Sequence, residues 1–588
     1  MLNVETEINQ RYPDFFQRKG TRLIAKPLLA MLRLLFHERE LRQFGERYAH
    51  LTGIEFIEQI FDYFSFSYSV RPNEVERIPV QGKAVIIANH PIGTLDGMAL
   101  VKMVSEVRPD VKVVANDMLM IIDQLHSHFL PVDNMHGGTA SERLKAINTH
   151  LLGNGVVIMF PAGEVSRISP QGVKDGKWRN GFLRIARNHQ APIIPIYINA
   201  KNSLFFYSLS MLSKPISTLW LIREMFKHYN NSVSIRIGEQ IAYQTYQAID
   251  LPINTKTALF RKHLYRLTKD KPSIFTTQSA IAHPENRQLL RSEIRACQKL
   301  SETRDGKQIY CYQHTHNSTI MREIGRLREE SFRLVGEGTG ERRDLDIYDN
   351  AYVHILLWDD KELELIGAYR LLETKHVTPS NAQQQLYSST LFEYQDAMVP
   401  YFDSGIELGR SFIQPKYWGT RSLEYLWQGI MVYITQHCRS RYLFGTVSIS
   451  NSYSQPAKEL LVYYYQQFYG SNCPIAHANM PFSLSEETTQ RLANLFAGVT
   501  AEEGLNILKI QLNHMGFSIP PLFKQYTKLC TPGGVNIFDF NIDPNFNNCV
   551  DGLVILDLTQ LTPKNKKRFN ADEYNMTIEQ NTCLDIPT

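Results

Sequence analysis

Short apolar runs separated by amphipathic stretches dominate the chain from residue 84 onward. AVIIANH (84–90), VKVVAN (111–116), GVVIMFPAGE (155–164) and APIIPIYI (191–198) read as buried strands. SVSIRIG (232–238) alternates and reads as a fifth strand with one polar face. SERLKAINTHLL (141–152) and NGFLRIARNH (180–189) repeat their apolar positions at helical spacing. Strands alternating with helices predict an α/β sheet. Residues 1–75 read as helices rich in Leu, Phe and Arg. Around 270–305 the texture turns polar and charged, which predicts a domain boundary there. A second α/β pattern follows. Helices are expected over 322–336, 421–438 and 458–470, and strands over 351–360, 362–373, 405–413 and 442–450. The organisation expected is a helical region 1–75, one domain over 76–280, a second with a mixed sheet over 281–563, and a polar tail 564–588.

Composition adds limits. A chain of 588 residues exceeds one ordinary core, so two or three domains are expected. Apolar residues at 43% and charged residues at 21% exclude a chain disordered throughout. The net charge of +4 is unevenly spread: residues 1–280 carry +10 and the remainder −6. A basic first half suits an anionic partner, which can be a phospholipid surface, an acidic carrier protein or a nucleic acid, or it is an inert basic surface. The seven cysteines (297, 311, 438, 473, 530, 549 and 583) are odd in number and irregularly spaced, with no CxxC pair. That pattern fits a reducing compartment and no zinc ribbon. The N-terminal residues lack a signal-peptide core, and no run of about 18 apolar residues occurs. Leu23–Phe36 and Ser203–Ile222 come nearest, interrupted by Lys26, Arg33 and Lys214–Pro215. Each reads either as a surface lying on a bilayer or as a core helix. The first of these makes 1–75 a membrane-associating region and places the chain in the cytoplasm, peripheral to the inner face of the membrane.

The first chemical motif is NHPIGTLDG (89–97), directly after a buried strand. His90 is suited to act as general base near neutral pH, with Asp96 fixing its tautomer and stabilising the imidazolium. No GxSxG elbow occurs, so direct attack by a bound alcohol fits better than an acyl-enzyme. FPAGEVSR (160–167) follows, with Gly163, Glu164 and Arg167, and then PIIP (192–195). The order NHP…D, FPxGE, PxxP resembles the glycerolipid acyltransferase family over residues 75–240. That resemblance implies His90 as base, Asp96 as its partner, and Gly163, Glu164 and Arg167 lining the acceptor head-group site. Two departures stand out. Five residues separate His90 from Asp96 where the family has four, an excess that a bulge or loop beside Gly93 would absorb. Ala162 and Glu164 flank Gly163 where the family has Glu and Thr. His126, His128 and His136 lack flanking acidic or Cys clusters and predict no metal site. Lys174, Lys177, Arg179, Arg184 and Arg187 either bind an acidic carrier or lipid phosphates, or form a solvated face.

In the second half, IGAYRLL (366–372) and IELGRSFIQPKYWGTRSLEYLWQGIM (406–431) put a strand, a loop with Gly419 and a helix starting near Arg421 in series. A helix N-terminus of that kind cradles a pyrophosphate or phosphopantetheine. This layout resembles the GNAT superfamily of N-acyltransferases, although the glycine-rich signature is absent. The longer pattern REESF, YDNAYVHILLWD, IGAYRL, ELGRSF, LWQGI and PPLFKQY resembles ornithine N-acyltransferases over about 290–560. Glu407 is the candidate base for the amine, or else a strand carboxylate paired with Arg410. Arg370 and Arg410 are candidates to hold the amino acid's carboxylate or the carrier's phosphate. Trp358 and Trp427 read as core.

Both resemblances in this order match the bifunctional ornithine-lipid synthases of bacteria, some of whose relatives carry haemolysin labels. The resemblance implies N-acylation of ornithine by a 3-hydroxyacyl chain from acyl carrier protein, then O-acylation of that lyso-lipid at the 3-hydroxyl. Partners would be acyl carrier protein, the membrane surface and the amino acid, with no nucleic acid and no metal or redox cofactor. The alternative is a lysophospholipid acyltransferase with a non-catalytic second domain. The choice of amino acid, chain lengths and oligomeric state are not encoded in any motif.

Overall fold

A computed structural model describes residues 22–115, 122–131, 140–170, 172–269, 271–438, 440–471, 473 and 475–569. His136, Cys583 and residues 570–588 lie outside the described residues, whereas the start of the expected tail forms a helix, Pro563–Arg568. The chain divides into two compact units, Met1–His283 and Pro284–Thr588.

The first unit opens with α1 (Arg22–Leu35), α2 (Glu38–Arg47) and α3 (Gly53–Phe64). Its sheet has seven strands: β1 (Ser67–Val70), β2 (Ala84–Ala88), β3 (Val111–Ala115), β4 (Phe129–Pro131), β5 (Val156–Met159), β8 (Ile193–Asn199) and β9 (Ser232–Ile237). Between β5 and β8 a small hairpin forms from β6 (Arg167–Ser169) and β7 (Gly172–Lys174). The strand order is β1-β9-β8-β2-β5-β3-β4, parallel except where β9 meets β8. Strand β2 is central and buried along its whole length, because helices cover both faces of a parallel sheet. Alternate side chains feed two cores. Ala84, Ile86 and Ala88 pack with α3 and α4 (Thr94–Ser105), while Val85 and Ile87 pack with Phe182 and Leu183.

The expected 1–75 region is therefore corrected in part. Phe56, Ile57, Ile60, Phe61 and Phe64 of α3 are core residues packed on the β2 face, not a surface on a bilayer. Among the described residues of this region, α1 leaves Met31 and Leu34 exposed and α3 leaves Tyr63 exposed. The stretch Ser203–Ile222 folds as α5 (Leu204–Leu212) and α6 (Lys214–Lys227), broken where the sequence carries Ser213 and Pro215. Leu204, Met211 and Leu212 stand at least 77% exposed. Among the described residues no helix is long and apolar enough to cross a membrane. Strands β1 (SYSV) and β4 (FLP) were not expected, being too short and too polar to give a run.

The second unit is built on eight strands: β10 (Gln298–Glu302), β11 (Gln308–Gln313), β12 (Val353–Asp359), β13 (Glu364–Glu373), β15 (Gly405–Ile413), β16 (Tyr442–Ile449), β18 (Val535–Asp543) and β19 (Cys549–Asp557). The order is β10-β11-β12-β13-β15-β16-β19-β18, with β15 and β16 the parallel pair. A separate pair forms from β14 (Phe392–Tyr394) and β17 (Ala476–Ala478). Helices α7 (Thr319–Val335), α8 (Ser422–His437) and α9 (Gln455–Tyr469) pack on the large sheet. The division between the units, at His283–Pro284, falls inside the polar stretch 270–305. That stretch contains a helix, Arg287–Arg295, and edge strand β10.

One feature of this sheet positions the second site. Strands β15 and β16 pair only over Gly405–Leu408 and Tyr442–Gly445, then part, although both continue. At the parting point a Cβ on Gly445 would overlap the Leu408 carbonyl, so only glycine lets the strands approach there. Beyond it, β16 remains paired to β19 on its other side as far as Ile449–Val550.

Candidate functional site

Strand β2 ends at Ala88, and the Asn89 side chain continues its pairing by bonding both the N–H and the C=O of Ile198 on β8. That fixed exit delivers His90 to the sheet's C-terminal edge, where ligands of parallel α/β sheets bind. The chain turns at Gly93, whose φ of 102° no L side chain adopts easily, and enters α4. Asp96, in the first turn of α4, is fully buried, and its Oδ2 accepts the N–H groups of Ile92 (2.9 Å) and Gly93 (3.1 Å). The same oxygen lies 3.2 Å from His90 Nδ1. The contact is an ion-pair distance and not a hydrogen bond; a proton on Nδ1 would leave Nε2 with its lone pair. The imidazole is partly exposed and rests against the ring of Phe160, centroids 4.2 Å apart. This is the geometry that a general base and an orienting carboxylate require, with the imidazole partly open.

FPAGEVSR wraps the same corner. Ser166 donates its N–H to the His90 carbonyl at 2.6 Å. Gly163 has φ 66° and faces the Arg179 guanidinium. Glu164 and Arg167 pair with each other at 3.1 Å, and Glu164 also lies 3.7 Å from Lys214. Arg167 further donates to Ser210 on α5 and to Ser217 on α6, at 3.0 Å for the latter. Its guanidinium is thus largely occupied by protein groups and fastens the α5–α6 hairpin to the motif, rather than standing open to a head group.

Sequence reading missed Asp175. It is buried, and its Oδ1 accepts the His90 N–H (3.2 Å) and the Ser166 hydroxyl (2.5 Å), while Oδ2 accepts Trp178 Nε1 (2.9 Å). Burial raises its pKa above the ordinary carboxylate value, against the pull of these donors. Asp175 clamps the His90 loop to the FPAGE loop. Its signal, a lone Asp inside the basic run 174–187, was masked by its neighbours.

In the second unit, Glu407 points from β15 into the interior. Its oxygens accept the Tyr352 hydroxyl and the Ser388 N–H, the latter at 2.7 Å. It is buried, and burial raises its pKa. No ion pair joins it to Arg410, so the expected alternative of a Glu407–Arg410 pair is not what forms. With both oxygens engaged, Glu407 suits the holding of Tyr352 and the Ser388 turn better than collection of a proton. Arg370 on β13 donates to Asp346 (2.6 Å) and Asp349 (2.9 Å) and lies over the rings of Tyr352 and Tyr387. Asp349 also accepts from Arg328 on α7 at 2.7 Å. Burial pushes the Asp349 carboxyl up, but Arg328 and Arg370 overcome this and hold it well below the usual range.

Arg410 is the bulged residue of β15, with φ 49°. Its guanidinium is sandwiched between Tyr387 and Phe546, 4.6 Å from each centroid. Gly419 (φ 76°) and Arg421 lie at the open N-terminus of α8, where Arg421 is exposed and paired with Glu424 at 2.5 Å. The structure thus brings Arg370, Arg410 and Glu407 together and leaves Gly419 and Arg421 at the helix entrance. Trp358 and Trp427 are core.

Residues 20–272 match a family described as acyltransferase, and residues 327–428 match the acetyltransferase (GNAT) domain. A glycine N(alpha)-acyltransferase of Bacteroides thetaiotaomicron is 32% identical over 262 residues, covering 42% of this chain and 77% of that protein. The chain belongs to this acyltransferase family. A lyso-glycine lipid O-acyltransferase of Phocaeicola vulgatus is 27% identical over 241 residues, 40% of this chain and 85% of that protein. An L-ornithine N(alpha)-acyltransferase of Agrobacterium fabrum is 29% identical over 243 residues, 40% of this chain and 74% of that protein. The protein is therefore an acyltransferase with an N-terminal acyltransferase domain and a C-terminal GNAT domain on a mixed sheet. In this acyltransferase, the parted strands β15 and β16 and the α8 N-terminus belong to the GNAT half. His90 and Asp96 belong to the other.

Proposed function

We propose that this acyltransferase makes a diacylated amino-acid lipid. The GNAT domain joins a 3-hydroxyacyl group to the α-amine of an amino acid, ornithine in the reading from sequence. The N-terminal domain then acylates the 3-hydroxyl, with His90 taking the hydroxyl proton as its oxygen attacks a thioester carbonyl and Asp96 steadying the imidazolium. The observation that carries this is the joining, in one chain, of similarity to N(alpha)-acyltransferases and to a lyso-lipid O-acyltransferase, beside the His90–Asp96 geometry. The first reaction supplies the very hydroxyl that the second consumes. The relative with 32% identity favours a second reading in which the head group is glycine.

The donors proposed are acyl carrier protein thioesters, and the working place is the inner face of the cytoplasmic membrane. The exposed apolar side chains of α1 and α5 support a surface attachment, with α1 packed on α6. Arg167 ties that hairpin to the His90 corner.

Mass spectrometry of lipids from a bacterium without aminolipids, expressing the chain, tests the reading. Wild type should yield a new diacylated amino-acid lipid whose head-group mass distinguishes ornithine from glycine. His90→Ala should yield the monoacylated lipid, because a general base contributes about 10²–10⁴-fold. No aminolipid from soluble wild-type protein would refute the reading and favour a lysophospholipid acyltransferase.

A further inference from the structure

The backbone behind His90 is held by side chains that the roles above do not use. Pro91 has no N–H, so the His90–Pro91 peptide can be held only by its carbonyl, to which Ser166 donates. The next peptide, Pro91–Ile92, is gripped at both ends. Its N–H is donated to Asp96 Oδ2 at 2.9 Å, the oxygen that faces His90 Nδ1. Its carbonyl accepts from Asn202 Nδ2 at 3.2 Å. Asn202 lies between β8 and α5 and is buried, and its own N–H is donated to the Tyr207 hydroxyl at 3.0 Å.

The Asn202 amide is oriented by a hydrogen-bonded chain anchored on backbone at both ends. The Ser232 N–H at the start of β9 donates to Asn231 Oδ1 at 2.9 Å, which turns Asn231 Nδ2 toward His228. Asn231 Nδ2 donates to His228 Nδ1 at 2.9 Å, so the imidazole carries its proton on Nε2. Nε2 donates to Asn202 Oδ1 at 3.2 Å, which leaves Asn202 Nδ2 for the Pro91 carbonyl. The polarity is the same from either end, because a backbone N–H only donates and a backbone carbonyl only accepts. The chain needs a neutral imidazole, since a proton on Nδ1 would face the Asn231 amino group. His228 is buried, and burial lowers its pKa against the pull of the Asp96 and Glu224 charges. His228 directly follows α6, so the chain joins the end of that helix to the loop behind His90.

We propose that Asn202 and His228 are positioning residues for O-acylation: they fix the Pro91–Ile92 peptide plane and, through it, the Asp96 carboxylate that faces His90. This deepens the O-acyl transfer proposed above and rests on it. A peptide is planar, so its C=O and N–H turn together. With no donor at the Pro91 carbonyl the plane swings, and the Ile92 N–H leaves Asp96 Oδ2. The carboxylate then keeps only the Gly93 N–H at 3.1 Å, because among the described residues its other oxygen has no hydrogen-bond partner. A carboxylate held by one bond turns about it and no longer sets the imidazole. The residue type at 202 follows from the same geometry. Asn accepts on one side and donates on the other, whereas Asp would turn a second acceptor toward the Pro91 carbonyl and Leu would offer neither. Both residues are buried behind the loop, so their effect falls on the chemical step and not on substrate binding.

The test uses the full chain, an acyl-acyl carrier protein thioester and, separately, N-(3-hydroxyacyl) ornithine and N-(3-hydroxyacyl) glycine, with O-acylation followed by mass spectrometry. Asn202→Asp and Asn202→Leu should lower kcat about 10–10²-fold, with KM for the lyso-lipid within about twofold of wild type. His228→Leu should lower kcat likewise. His228→Gln should keep at least about a third of it, because a glutamine amide donates to Asn202 Oδ1 and accepts from Asn231 as the neutral imidazole does. Melting curves identify the folded variants, and the His228 pair, which leaves Asn202 in place, carries the test where an Asn202 variant does not fold. A kcat within about threefold of wild type in folded Asn202→Asp or His228→Leu, a loss confined to KM, or equal losses in His228→Gln and His228→Leu would overturn the proposal and leave the acyl transfer standing. No O-acylation of either lyso-lipid by wild type would overturn both.

Discussion

Removing the Asp175 carboxylate should cripple the first site without touching its histidine. Asp175→Ala strands three donors in a buried corner: the His90 N–H, the Ser166 hydroxyl and the Trp178 indole. Each buried donor left unpaired costs about 1–3 kcal/mol. The Ser166 hydroxyl can rotate to another acceptor, whereas the other two are fixed. The buried carboxylate is itself disfavoured, as its raised pKa records, which offsets part of the loss. A net cost of roughly 3 kcal/mol to the first unit follows from these opposing contributions. The His90 carbonyl keeps its bond from Ser166, so the loop should loosen rather than detach. A drift of the imidazole approaching 1 Å costs about 10²-fold in rate. Calorimetry should show a lowered first unfolding transition, and a lipid assay should show O-acylation down about 10²-fold with N-acylation unchanged. Asp175→Asn, which keeps an acceptor for His90 but can set an N–H against Trp178, should fall between. O-acylation within twofold of wild type in Asp175→Ala, with the transition unmoved, would refute the clamp.

Gly445→Ala should destabilise the second unit by about 3 kcal/mol, because the new methyl overlaps the Leu408 carbonyl where β15 and β16 part. Denaturant unfolding of the chain reads this directly, and an unchanged midpoint would contradict it. Leu212→Glu, at a side chain 86% exposed, should lower binding to anionic vesicles at least tenfold while thermal stability holds, checked by co-sedimentation and a melting curve. The second unit should also lose stability as pH rises from 6.5 to 8. Glu337, with a folded pKa of about 8, binds its proton more tightly when folded, so its contribution is full below the unfolded value and is lost up to about 8. Asp551, raised by burial to about 6, loses the last of its proton in the lower part of this window and adds a smaller fall of the same sign. His354, which burial lowers to about 3, gives the opposite slope only below its unfolded value near 6.5. The expected fall is up to about 2 kcal/mol, and Glu337→Gln should flatten it.

Local pattern carried much of the fold. AVIIA, VVIM and IIPIYI announced the central strands because a parallel sheet covered on both faces needs unbroken apolar runs. The α7, α8 and α9 helices were legible in their period, and His90 and Asp96 in their place after a strand end. Edge and hairpin strands were not. SYSV, QKLSE and VNIFDFNID carry too few consecutive apolar positions, since an edge or a half-solvated strand buries only part of its surface. Sequence also could not tell that α3 serves the core while Leu204, Met211 and Leu212 face outward, because both stretches are equally apolar and only packing decides which faces are covered. The same holds for the charges. Residues 346, 349, 370 and 410 are far apart along the chain and meet only in the folded second unit. The local sequence pattern determined that the chain would fold into α/β units and where one histidine would stand. Which carboxylates are buried, which arginines keep free donors and which glycine separates two strands were decided by the register of an eight-stranded sheet, a long-range property that no local window contains.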